Sequence, residues 1–178
     1  MYSNTKSELT TKYNKGVIII HWISALLIFA LFPLGKYMSD IPIIDKITLI
    51  KIHSVLGFLV FLLTIARSIL YFIKERPERL STGSKANDLL AKVVQSSFYF
   101  LLFAISISGS VIMVYGGYVD ILMSSVAISE LIIPREEIVA IDIHNILATI
   151  MMILVAMHIV GVFRYNAIHK TNIIKRIL

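Results

Sequence analysis

Four long apolar stretches organise this chain, at about residues 17–38, 47–73, 89–115 and 138–163, and runs carrying charge, proline or glycine separate them. About 20 apolar residues in a helix cross the hydrocarbon core of a bilayer, so each stretch is long enough to span. None shows the alternation of a barrel strand, and backbone amides in lipid must find partners within their own segment. The predicted fold is therefore all-α, an integral membrane four-helix bundle running up and down. The first connection holds Pro42 between Asp40 and Asp45. The second, residues 74–92, has Pro77, Gly83 and mixed charges, which reads as a solvated loop followed by a polar helix start. The third, residues 116–137, is the longest and fairly apolar, and is expected to lie along the membrane surface. Little chain is left for a soluble domain, so residues 1–178 read as a single membrane domain.

Composition agrees with the pattern. The chain is 57% hydrophobic and 16% charged, with a mean hydropathy of +0.83, against roughly 25% charged residues in soluble domains. There is no cysteine, which excludes disulfides, thiolate-held iron–sulfur clusters and haem attached through a C-x-x-C-H motif. The first apolar run is longer than a signal-peptide core and lacks a small-x-small cleavage site, so it reads as a retained span.

The net charge of +6 is a topology signal. Lys6, Lys12, Lys15, Lys74, Arg76, Arg79, Lys85, Lys92, Arg164, Lys170, Lys175 and Arg176 all fall on the side of the termini. Lys36, Lys46, Lys51 and Arg135 fall on the other, with seven acids. Basic residues near short loops stay inside, so both termini are predicted to be cytoplasmic. No interleaved basic and aromatic patch suggests nucleic acid.

Four histidines carry the candidate chemistry. His144 and His158 lie fourteen residues apart in the last stretch, nearly four helical turns and about 21 Å of rise, so they share one face at two depths. With four crossings, His21 matches His158 in depth near the inner boundary, and His53 matches His144 near the outer one. A lone histidine on an apolar face is more often a hydrogen-bonded core residue, but four at paired depths would need four independent reasons for costly burial. Imidazole is a common axial ligand of b-type haem, which suggests two bis-histidine sites, His21 with His158 and His53 with His144. Iron with both axial positions filled has no place for substrate, so electron transfer is the expected chemistry. Gly57, Ala148 and Gly161, each about one turn from a histidine, would let a flat macrocycle approach the backbone.

Arg67 is the one cation well inside an apolar block, fourteen residues after His53. It should reach the inner haem level and pair with a propionate; the bland alternative is that it snorkels to the headgroups. His169 reads as solvated, Trp22 and Tyr13 as interfacial anchors, and Met113, Met151, Met152 and Met157 as packing.

The I-H-W of the first stretch, the I-H-S-V-L-G of the second and the H-N-I-L-A of the fourth, with a histidine fourteen residues on, resemble the bacterial cytochrome b561 family over about residues 13–170. The resemblance implies a di-haem b cytochrome of the bacterial inner membrane, related to the membrane cytochromes of nickel–iron hydrogenases and formate dehydrogenases, that exchanges electrons with quinone. Some members act as superoxide oxidases, passing an electron from external superoxide through the haems to ubiquinone. Where members carry a histidine near the start of helix three, this chain has Lys92 and Gln95.

A superoxide:quinone oxidoreductase must attract an anion, yet the predicted outer side nets −3. Lys36, Lys46 and Lys51 would have to form a local patch, with Lys51 two residues before His53 as the docking candidate. Two alternatives stand beside this reading. One is a haem-bearing anchor for a dehydrogenase or hydrogenase partner subunit; the other is a haem-free transporter that uses its histidines for protons or cations.

Overall fold

The computed structural model describes residues 12–74, 77–123 and 138–178. Its long helices are α1 (Lys15–Asp40), α2 (Ile43–Ile73), α3 (Lys85–Tyr115) and α5 (Val139–His169), with a short α4 (Tyr118–Met123) and a closing 3-10 turn, Ile173–Arg176. All four long helices are apolar enough to cross a membrane, so the protein is multi-pass. Large side chains such as Leu26, Phe72, Phe100 and Phe163 are exposed on the outside, where lipid rather than water is the solvent.

Each helix outruns its apolar stretch, because polar ends extend a helix into the headgroup layer. Lys85, Ala86, Asn87 and Asp88 begin α3, and Arg164 to His169 finish α5. The Asn14 side chain caps α1 by accepting from the Gly16 amide at 2.9 Å. Between α1 and α2 only Ile41 and Pro42 intervene, with Pro42 at the N-cap of α2 and Asp45 in its first turn, where helix polarity favours a carboxylate. After α3, Gly117 turns the chain at φ 71°; a Cβ at Gly116 would lie 2.7 Å from the Ile112 carbonyl oxygen, so the turn requires glycine there. The predicted surface segment is described only as far as α4, and residues 124–137, with Arg135, lie outside the described residues.

The backbone packing is uneven. α1 packs along α2, α2 along α3 and α3 along α5, whereas α5 approaches α1 and α2 at few points. The buried core is small: Val60, Leu101, Leu102 and Met151, with Leu27, Ile28, Leu31, Phe98, Ile105, Leu147 and Leu154 against it. A second cluster of Tyr118 and Ile138, with Ile47, Ile50, Ile112, Met113 and Ile141, closes the end distal to the termini. At the proximal end the first and last described segments are tied together. The Tyr13 amide donates to the Arg176 carbonyl at 3.0 Å, the Trp22 indole N–H to the Ile177 carbonyl at 2.7 Å, and the Arg176 guanidinium to the Glu78 carbonyl at 2.8 Å. Trp22 thus holds the C-terminal segment. His169 is stacked on Tyr165 at 4.3 Å, not free in solvent as expected.

Candidate functional site

Seven residues are close to two helical turns, so positions seven apart recur on one face. On α5 this stripe is His144, Met151 and His158; on α2 it is His53, Val60 and Arg67. Val60 and Met151 meet in the core, which sets the two stripes against each other and separates a distal group from a proximal one.

The distal group pairs His53 with His144, their ring centroids 6.2 Å apart and their planes at 67°. A metal bonded to one nitrogen of each ring at about 2.0–2.1 Å, with each nitrogen about 1.1 Å from its ring centre, requires centroids roughly 6.3 Å apart. The observed spacing therefore fits one iron between two imidazoles. His144 Nδ1 lies 3.1 Å from the Ile105 carbonyl oxygen and 3.0 Å from Ser108 Oγ. His53 Nδ1 is buried without a hydrogen-bond partner.

Two glycines on neighbouring helices make room for the distal rings. A Cβ at Gly35 on α1 would stand 3.3 Å from His53 Cε1, and one at Gly109 on α3 would stand 3.3 Å from His144 Cε1. By contrast, Cβ atoms at Gly57 and Gly161 would meet nothing within 4 Å, so these two border open space one turn from His53 and His158 and touch no ring. Ala148 is half-buried.

The proximal group contains His21, Arg67 and His158. Arg67 acts electrostatically on both histidines, and His158 on His21. His158 packs edge-on against Phe98 at 5.6 Å and His21 against Trp22 at 5.5 Å. Arg67 is half-buried. Its guanidinium sits over the Tyr99 ring at 5.7 Å, and its Nε is buried without a partner, an arrangement that favours an anionic group beside it.

Both groups lie where α5 faces α1 and α2 without close backbone contact. Among the described residues no three or more histidine, cysteine or acidic side chains converge; His53 and His144 meet as a pair. Lys51 is exposed on α2 two residues before His53, while Lys46 is drawn inward, donating to the Met38 carbonyl at 3.0 Å. Met151 is core and Met113 accepts from the Ser54 hydroxyl at 3.1 Å, whereas Met157 is exposed.

Sequence reasoning passed over Gly35, Phe98, Ile105, Ser108 and Gly109. Gly35 carried a signal, standing fourteen residues after His21 and so on the same face. The α3 residues carried little, because serine and glycine are common in membrane helices for packing alone.

The chain matches the family model described as prokaryotic cytochrome b561 over residues 12–178. It is also similar to cytochrome b561 homolog 2 of Escherichia coli (strain K12), 31% identical over 112 residues, which make up 60% of this chain and 58% of that relative's length. With four spanning helices and a match over residues 12–178, the chain belongs to the prokaryotic cytochrome b561 family, membrane electron-transfer proteins that bind b-type haem.

Proposed function

We propose that the protein holds two b-type haems and carries electrons across the bacterial inner membrane between a donor outside and the quinone pool. The observation that carries this is the 6.2 Å spacing of His53 and His144, supported by the placing of Arg67 with both His21 and His158. His53 and His144 hold the distal haem, and His21 and His158 the proximal one. When bound, the haem would supply reversible one-electron chemistry.

The remaining roles belong to the chain. Val60, Leu101, Leu102 and Met151 fill the level between the two pairs and keep water from it. Arg67, whose Nε is buried without a partner, would balance an anionic group of the proximal haem. The basic residues on the side of the termini keep that end cytoplasmic, so the distal pair faces outward. From the family comes superoxide as the donor, met near Lys51, and quinone as the acceptor. On this reading the protein is an oxidoreductase.

The test is haem quantification in purified wild type and in His21→Ala, His53→Ala, His144→Ala and His158→Ala. Two haems per chain are expected, with one spectral component lost in His53→Ala and His144→Ala and the other in His21→Ala and His158→Ala. Protein free of haem after expression in haem-replete cells, or loss of the same component from His21→Ala and His53→Ala, overturns the proposal.

A further inference from the structure

Helix α3 contains no histidine, yet it surrounds the His144 ring with Ile105, Ser108 and Gly109. The Ser108 hydroxyl donates to the Ile105 carbonyl at 2.9 Å. His144 Nδ1 stands 3.1 Å from that carbonyl oxygen and 3.0 Å from Ser108 Oγ. A carbonyl oxygen has no proton to give, so a ring nitrogen this close must bring its own. The neutral ring therefore carries its proton on Nδ1, shared between the Ile105 carbonyl and Ser108 Oγ, and leaves the Nε2 lone pair free. Ser108 is only 8% exposed, so water does not easily replace its hydroxyl. Gly109 completes the cradle, since a Cβ there would press on Cε1 at 3.3 Å and Nδ1 at 3.6 Å.

Its partner ring has nothing equivalent. His53 Nδ1 is buried and unpartnered, and a Cβ at Gly35 would stand 3.3 Å from the ring's Cε1.

We propose that Ser108, acting with the Ile105 carbonyl, is a positioning residue for the distal haem, and that it makes the two imidazoles of that haem unequal. This rests on the di-haem reading. An imidazole that donates from Nδ1 to oxygen places more electron density on its other nitrogen, making it a better ligand. His144 is then the stronger donor and favours ferric iron, while His53 is the weaker, less oriented one. In this way the third helix sets the properties of a site to which it gives no ligand.

The experiment is an optical and electron-paramagnetic redox titration of purified holoprotein, comparing wild type with Ser108→Ala, Ser108→Thr and Ser106→Ala. Removing one hydrogen bond to the ligand should raise the equilibrium constant for reducing the distal haem about three- to tenfold and shift its spectral signature. The proximal haem should not move. Ser108→Thr, which keeps the hydroxyl, should restore the wild-type values. Ser106→Ala removes a hydroxyl that donates to the Leu102 carbonyl of its own helix at 2.8 Å, and should move neither haem. If Ser108→Ala sheds the distal haem, retention in Ser108→Thr supports the proposal and loss in both variants overturns it. Two haems with an unchanged distal signature in Ser108→Ala, or an equal shift in Ser106→Ala, defeats this inference alone. A wild type without haem defeats the functional reading and this one with it.

Discussion

Adding one methyl group at residue 35 separates helix stability from cofactor binding. Gly35→Ala would place its Cβ 3.3 Å from His53 Cε1, against an optimal carbon–carbon separation of about 3.5–4.0 Å. The imidazole must therefore yield by about 0.2–0.7 Å, or α1 must move away from α2. Overpacking of this kind costs about 1–3 kcal/mol, and because each 1.4 kcal/mol is tenfold, distal haem should be held about five- to 150-fold more weakly. An opposing effect is of similar origin but different reach, since alanine stabilises a helix over glycine by about 0.5–1 kcal/mol whether or not haem is bound. The two effects appear in different measurements. Haem transfer to excess apomyoglobin should be faster from the distal site only, while the helical content and thermal unfolding of the polypeptide stay unchanged or improve slightly. Gly109→Ala, with the same 3.3 Å approach to His144, should behave alike. Equal loss from both sites, or unchanged distal retention, would refute the argument that these glycines set the positions of the rings.

Other expectations follow from charge and packing. Arg67→Gln should lower the proximal midpoint potential and leave the distal one in place, because charges roughly 8 Å apart at an effective dielectric of about 20 interact by about 2 kcal/mol; a redox titration showing the distal haem shifted instead would contradict it. Lys51→Glu should slow haem reduction by superoxide several-fold at low salt, with the difference fading as salt rises; stopped-flow rates that do not change would remove Lys51 as a docking residue. A reporter fused after Leu178 should be active only in its cytoplasmic form, and one inserted at Gly117 only in its exported form; the reverse pattern would invert the proposed orientation. Haem-depleted protein should be digested faster than holoprotein, since a ligand present at 1,000 times its Kd stabilises the native state by about 4 kcal/mol; identical digestion would mean that haem does not contribute to holding α5.

The spans were legible because lipid imposes a strict length and composition on any helix that crosses it. Their ends were less so: residues such as Lys85, Asn87 and Asp88 terminate an apolar run without terminating a helix. The four histidines stood out because each is costly in hydrocarbon, and the structure brings His53 to His144 and groups His21 with His158 and Arg67. What the sequence could not reveal was which small residues meet them. Gly57 and Gly161, expected to admit a flat macrocycle, border open space, while the rings themselves are met from neighbouring helices by Gly35 on α1 and Gly109 on α3. The hold on His144 was hidden for a similar reason, since one of its two hydrogen-bond partners is a backbone carbonyl, an atom that every residue at position 105 would offer.

A seven-residue register connects these observations. His21, Ile28 and Gly35 on α1 run antiparallel to His53, Val60 and Arg67 on α2, so the glycine of one stripe falls at the histidine of the other, and His21 falls at Arg67. On α5, His144, Met151 and His158 repeat the spacing, with Met151, only 2% exposed, at the middle level. Helix α3 answers with Phe98 against His158 and the Ile105 carbonyl against His144. Stripes of this kind would normally draw four helices into close contact throughout. Here α5 closes fully on α3 and meets α1 and α2 at few points, and the imidazole pairs stand on those looser faces. Backbone contact is thus close where α5 packs on α3, and sparse where α5 faces the helices that carry His21 and His53. The same repeat that specifies the bundle therefore also specifies where it is left incomplete, and a flat iron-centred group between α5 and the α1–α2 pair would complete it.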